Sequence, residues 1–231
     1  MKLTFHGHAA WEVETGGARV WIDPFLSGNP LADVSADEVN ADYVILSHAH
    51  ADHLGDTEAI AARTGAVVIA MNELANHLAS RGLRTEVLQI GGGQSFSFGR
   101  VKLVPAYHSS SVDGLYMGKE AGILLRDIEG TVIYHAGDTG LFSDMALIGR
   151  AGLDAALLPI GDKFTMGPED ALAAVELLKP RLAMPMHYDT FDPIKQDARA
   201  WKVAVEARTG VPVLVLKPGE SCIVAAGGGT A

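Results

Sequence analysis

The stretch LSHAHADHLGD, residues 46–56, runs straight on from the apolar segment DYVIL and sets His48, His50, Asp52 and His53 within six consecutive positions. A chain that ends a buried strand on three imidazoles and a carboxylate has few ways to fold, because each polar group left unsatisfied inside costs about 1–3 kcal/mol. The strand must deliver the cluster to an edge where something holds it. His48 and His50, two residues apart in extended backbone, point the same way and reach one ion together. Asp52 and His53 follow where a helix is expected to begin, and the change of backbone direction aims them at a second point nearby. The reading is two adjacent metal positions served by one loop. Imidazole and carboxylate without thiolate suit zinc, manganese or iron, in a catalytic rather than a structural ligand set.

Four ligands do not complete two sites, so further donors are expected at other strand ends. His108 closes VKLVPAYH, Asp138 sits in HAGDTG just after TVIYH, and His187 ends LAMPMH. Each terminates an apolar run, which gathers them at one edge of the scaffold.

The rest of the chain reads as mixed α/β. Strands are expected at Leu3–Phe5, Trp11–Glu14 and Arg19–Ile22, with a Gly16-Gly17 hairpin turn, and at Asp42–Leu46 and Ala66–Ala70. Helices are expected at Leu54–Arg63 and Asn72–Arg81, with Asn72 as N-cap. In the second half, strands are expected at Thr85–Ile90, Gln94–Phe98, Val101–Ala106, Ala121–Asp127, Thr131–His135, Ala155–Leu158, Leu182–Met186, Val213–Leu216 and Ser221–Ala225. Helices there are expected at Pro168–Leu178 and Asp197–Arg208. Hairpins mixed with β-α-β units imply two sheets with helices packed outside. No linker divides the sequence, so residues 1–226 are expected to form one domain, with 227–231 a flexible tail.

The order HxHxDH, a distal His, an Asp in a GDT turn and a last His resembles the metallo-β-lactamase fold superfamily over nearly the whole chain. The motifs GHA (Gly7–Ala9), IDPF (Ile22–Phe25) and FTMGPEDA (Phe164–Ala171) are similar, more narrowly, to the metal-dependent hydrolases related to ascorbate-6-phosphate lactonase. The resemblance implies an αββα sandwich of two mixed sheets with helices outside. It also implies that His48, His50 and His108 hold one divalent metal ion, that Asp52, His53 and His187 hold the other, and that Asp138 bridges them. Two divalent ions set against two carboxylates and a hydroxide leave such a site at about +1, which favours an anionic or carbonyl-bearing small-molecule substrate.

The expected chemistry is hydrolysis of a small ester, lactone or phosphodiester by a metal-bound hydroxide, since a metal lowers the pKa of its water from 15.7 to about 7. Asp52 is the candidate for orienting that hydroxide. Tyr188, directly after a proposed ligand, is a candidate donor to the developing oxyanion, against the alternative of ordinary aromatic packing. His8 and Asp23, at the ends of early strands, either fix the tilt of ligands or serve local turns. In GDKFTMGPEDA, Pro168 opens a helix whose free N–H groups would receive an anion, with Lys163 adding charge and Thr165 a further candidate contact; a plain helix start is the alternative. His6 and His135 read as structural, and His77 as a surface residue.

Charge decides between function classes. A formal net charge of −10 and a pI near 5.3, with no basic run, speak against nucleic acid as partner and so against an RNA-processing nuclease of the same fold. An oxygen-reducing di-iron protein would need a flavin domain for which 231 residues leave no room. A non-catalytic metal-binding module stays open, and so does a homo-oligomer. The single cysteine, Cys222, precludes an intrachain disulfide and reads as an inert buried thiol. No run of 18 apolar residues occurs, so a soluble cytoplasmic protein without a membrane partner is expected.

Overall fold

The computed structural model describes residues 1–227 and the backbone of 229 and 230. The chain opens with a meander of β1 (Lys2–Phe5), β2 (Trp11–Thr15) and β3 (Ala18–Ile22), in which Thr15 pairs with Ala18 across the Gly16-Gly17 turn. Both glycines have positive φ, as a two-residue hairpin matched to strand twist requires. β4 (Tyr43–Ile45), β5 (Val67–Met71) and β6 (Thr85–Leu88) continue the sheet in parallel. Their crossovers are α1 (Ala51–Leu54), α2 (Thr57–Thr64) and α3 (Asn72–Ser80).

The second sheet has the order β14-β13-β12-β11-β8-β7. β7 (Gly93–Phe96), β8 (Gly99–Pro105), β11 (Ala121–Asp127) and β12 (Val132–His135) pair antiparallel, and β13 (Ala155–Pro159) and β14 (Ala183–Met186) extend it in parallel. β9 (Ser111–Val112) and β10 (Leu115–Tyr116) form a separate small hairpin. α4 (Met145–Gly149), α5 (Pro168–Leu178) and α6 (Ala198–Thr209) belong to this half, and β15 (Ser221–Ala225) returns to pair with β1.

Strand alternation builds the layers. Val20, Ile22, Ile45 and Ile69 face one apolar core together with Leu103, Ile123 and Ile133 of the opposite sheet. Their neighbours Trp21, Val44, Leu46 and Val68 face a second core closed by Ile60, Leu74 and Leu78 of α2 and α3. The result is helix, sheet, sheet, helix, the αββα arrangement. Among the described residues no helix is long and apolar enough to cross a membrane.

The helix α4 and the β9–β10 hairpin are not among the expected elements, and three expectations are revised. The helix expected at Leu54–Arg63 is two helices, because Gly55 ends α1 at φ 45° and a Cβ there would run into the Pro24 carbonyl oxygen. Val213–Leu216 makes only an isolated bridge to Ala183. The Pro212 carbonyl accepts from the Ala183 N–H and the Leu214 N–H donates to the Ala183 carbonyl, while the Val213 groups face the other way, to Glu206 Oε1 and Lys202 Nζ. Asn72 is the first residue of α3 rather than its cap, and its side chain accepts from Asn76 instead. Of the tail expected at 227–231, residues 228 and 231 lie outside the described residues, and Gly229–Thr230 pair with Val224–Ala225 as β16.

Candidate metal centre

The chain ends of β1, β3, β4, β8, β12 and β14 meet at one edge of the sandwich. Ser47 stitches the two sheets there, its carbonyl accepting from Ala121 at the start of β11. Gly137, in the turn after β12, lies so close that a Cβ would sit 2.8 Å from that of Ser47.

His48 Nε2 and His108 Nε2 stand 3.0 and 3.2 Å from His50 Nδ1. Donors about 2.0–2.1 Å from one tetrahedral ion are about 3.3 Å apart, so three nitrogens at this spacing suit a shared cation. Across from them, Asp138 Oδ1 lies 3.1 Å from His53 Nε2, and Asp138 Oδ2 lies 3.1 Å from His187 Nε2 and 3.4 Å from His108 Nε2. One buried carboxylate thus reaches both groups of imidazoles. His53 Nε2, His187 Nε2 and Asp138 Oδ1 are buried yet make no hydrogen bond, even at these distances. They aim at common points rather than at one another, which is the disposition of ligand atoms. The residues fit divalent metal.

Asp23 decides which nitrogens are bare. Its Oδ2 accepts from the Ser47 hydroxyl at 2.5 Å and from His53 Nδ1–H at 2.8 Å, and its Oδ1 accepts the Ser47 N–H. With the Ser47 proton committed to Asp23, His48 Nδ1–H must donate to the Ser47 oxygen at 2.9 Å. His48 is therefore held with Nε2 deprotonated and facing the cluster, and Asp23 fixes His53 through Nδ1–H so that Nε2 is the nitrogen turned toward the other donors. His8 spans Thr190 Oγ1 at 2.8 Å and Asp52 Oδ2 at 3.2 Å, and Asp52 lies 3.9 Å from His187 Nε2. His8, Asp23 and His187 all have φ near +50°, where a non-glycine residue costs about 1–3 kcal/mol. Strain of that kind gathered at one place marks a site the rest of the fold has to support.

The electrostatics point the same way. Burial drives His53 toward the neutral form, but Asp138 and Asp23 on either side outweigh it and hold its pKa well above the ordinary value. Carboxylates that would keep a proton on His53 attract a cation in its place. Burial pushes His8 down to about 4 and His48 well below the usual range, so both are neutral imidazoles at neutral pH. Burial also works against the Asp138 and Asp52 carboxylates, yet His187 and His53 beside the first, and the His8 hydrogen bond on the second, hold both below the usual range.

A sequence profile described as the beta-lactamase superfamily domain matches residues 2–187. The chain belongs to this superfamily. Among its relatives, a UPF0173 metal-dependent hydrolase of Pelotomaculum thermopropionicum is 51% identical over 227 residues, covering 96% of this chain and 99% of that one. Another from Thermus thermophilus is 48% identical over 221 residues, covering 95% of this chain and 97% of the relative. Igni18, described as a novel metallo hydrolase from the archaeon Ignicoccus hospitalis, superposes with a TM-score of 0.89 at 39% identity, over 95% of this chain and 96% of its own. An isothiocyanate hydrolase from Delia radicum gut bacteria, at 21% identity and TM-score 0.75 over 98% of this chain and 100% of that one, shares the fold.

Within this β-lactamase superfamily domain, not every residue singled out from sequence reaches the cluster. The ring of Tyr188 packs against the main core and lines a separate cavity with Phe5, Leu31 and Leu216, and no hydrogen bond links its hydroxyl to the metal residues. Burial pushes that phenol up to about 12. Lys163 holds its ammonium over the Phe164 ring, 5.4 Å from the centroid, and Thr165 Oγ1 donates to the Met166 carbonyl, so both serve their own loop. His6 bonds Asp33 and stacks on Trp21, and His135 bonds the Ala9 carbonyl, which makes both structural.

Sequence reasoning missed Ser47, Thr190 and Glu120. Glu120 accepts the His108 N–H. The position of Ser47, directly before His48, was the only available signal, since Thr190 and Glu120 reach the site through tertiary contacts.

Proposed function

We propose that this protein is a dinuclear metal-dependent hydrolase that cleaves a small ester, lactone or phosphodiester. The observation that carries the reading is the convergence of buried, unpartnered donor atoms from His53, His187 and Asp138 beside the three nitrogens of His48, His50 and His108. His48, His50 and His108 would hold one ion, Asp52, His53 and His187 the other, with Asp138 shared. A pair of divalent ions supplies a nucleophile from water at neutral pH and polarises the attacked group. Zinc suits this ligand set, and manganese or iron are accepted by the same atoms.

The protein's own part is orientation. Asp52 is the more exposed of the two carboxylates in the cluster, its side chain 34% accessible against 3% for Asp138. Held ionised by His8, it accepts a hydrogen from the attacking water and turns the oxygen lone pair toward the substrate. Asp23 and Ser47 keep His48 and His53 in the tautomer that leaves Nε2 free. The substrate is a small anionic or carbonyl-bearing molecule, because two divalent ions would outweigh Asp52, Asp138 and one hydroxide on the side it approaches, with Asp23 held behind Ser47 and His53.

Elemental analysis after reconstitution with zinc or manganese, paired with hydrolysis of bis(4-nitrophenyl) phosphate and a lactone, tests this reading. About two equivalents of metal are expected, with metal and turnover both falling in Asp138→Ala. Failure to retain metal, or turnover untouched by the substitution, overturns it.

A further inference from the structure

Around a cavity that none of the candidate metal ligands lines, the outer face of the second sheet collects cations. The register sets Arg100 of β8 directly opposite Arg126 of β11, with Lys102 opposite Leu124 in the next pair on the same face. Like charges facing each other across an antiparallel pair destabilise it. Arg100, Lys102 and Arg126 alternate with buried Val101, Leu103 and Leu125, so they stand on the side away from the core. Arg150, just after α4, joins them.

None of these four side chains is in an ion pair among the described residues, and unlike the other unpaired cations they share one cavity wall. Among the described residues the Arg126 guanidinium donates only to the Gly130 and Ala151 carbonyls. Asp144 is the one carboxylate on the wall among the described residues, and its Oδ1 accepts from Ser143. In a chain with 18 cationic and 28 acidic residues, a cluster of unmatched cations does not arise from a surplus of positive charge.

The four surround a cavity of about 450 Å³. Its apolar lining includes Leu124, Val132 and Leu147, the last of them 58% exposed on α4. That volume lies within the range of small-molecule pockets, roughly 300–1,000 Å³. Guanidinium forks over an apolar floor match a ligand with an anionic head and a hydrocarbon or aryl body.

We propose that this cavity is a second ligand site, separate from the metal centre, that binds a small amphiphilic anion. The head is a carboxylate or a phosphate held by Arg100, Lys102, Arg126 and Arg150, and the body rests on Leu124 and Val132. Bound ligand would also relieve the repulsion between Arg100 and Arg126.

Calorimetric titration of the metal-loaded full chain tests the assignment, with decanoate and decyl phosphate as probes and with acetate, inorganic phosphate and octyl glucoside as controls. One decanoate or decyl phosphate per chain is expected, at least tenfold tighter than acetate or inorganic phosphate, and the stronger of the two names the head group. Octyl glucoside should not compete. The double variant Arg100→Gln/Lys102→Gln should weaken the amphiphile at least tenfold while keeping its metal, and without ligand it should melt no lower than the wild type. No saturable binding, or binding that the double variant leaves unchanged, overturns the proposal. A lower melting temperature in the unliganded variant would mean that the cations serve the fold. If the wild type is a dimer that the variant dissociates, the face belongs to a second copy, and the proposal also fails.

Discussion

Asp23 shows how much rests on one side chain. It is fully buried, sits at φ 47° and accepts three hydrogen bonds, one of which, through Ser47, also sets the tautomer of His48. An asparagine has one acceptor oxygen and an NH₂ that must face a donor, so Asp23→Asn leaves every ligand in place but disturbs two of them. Chelator competition should show metal affinity lowered about 10–100-fold, the usual effect of losing such a partner; unchanged affinity would remove Asp23 from this role. His53 carries a second prediction. In metal-free protein the flanking carboxylates outweigh burial and keep it protonated above its ordinary pKa, so binding a cation there releases that proton. Affinity measured from pH 6 to 8 should therefore rise with pH, by about tenfold per unit for one displaced proton. A flat profile would mean that His53 is not displaced. Tyr188, by contrast, is half-buried away from the cluster, and Tyr188→Phe should leave turnover within about twofold of wild type. The residues at HxHxDH were legible because three imidazoles after an apolar strand have no packing explanation. The place of Tyr188 was not, because His187 turns the backbone into the left-handed region, and a following side chain then leaves the site.

Among the elements, α1 and α2 matter most, since α1 is a single turn that carries Asp52 and His53. Gly55 lets the chain leave that turn while approaching the Pro24 carbonyl, and Asp56 Oδ2 then accepts from Leu26 and Ser27 to fix the approach. Gly55→Ala meets both an unfavourable φ and a backbone clash, so it should cost more than about 1 kcal/mol in urea denaturation and weaken metal binding with it. A variant as stable as the wild type would show that the close approach is dispensable. Periodicity made one helix of Leu54–Arg63 because a pattern of apolar positions carries no information about what another loop brings alongside. The same holds for Val213–Leu216, whose apolar run reads as a strand but pairs with β14 only around Ala183, with Lys202 and Glu206 of α6 taking the outward-facing Val213 groups. Strands with clear alternation and turn glycines, such as β2 and β3, were legible almost to the residue.

At the scale of the whole molecule, the proposed ligands come from both sheets: His48, His50, Asp52 and His53 follow β4 of the first, while His108, Asp138 and His187 follow β8, β12 and β14 of the second. The ligand order in the sequence does not reveal this division, because strand pairing is set by contacts between segments far apart. Bound metal would therefore close the edge of the sandwich, where buried donors of both sheets otherwise stand without partners. Metal that binds only the folded chain adds about 2.7 kcal/mol at a free concentration 100 times its Kd. For a domain of this size, with 1 kcal/mol moving the midpoint about 2–4 °C, removal by chelator should lower the melting temperature by about 5–10 °C. The loss should also be local. Hydrogen exchange in metal-free protein should speed up in the segments around residues 47–54, 106–110, 136–140 and 186–190, while Val20, Ile45, Leu103 and Ile123, which share the core between the sheets, stay protected. An unchanged melting temperature, or protection lost evenly across both sheets, would show that the metal does not act as the clasp between them.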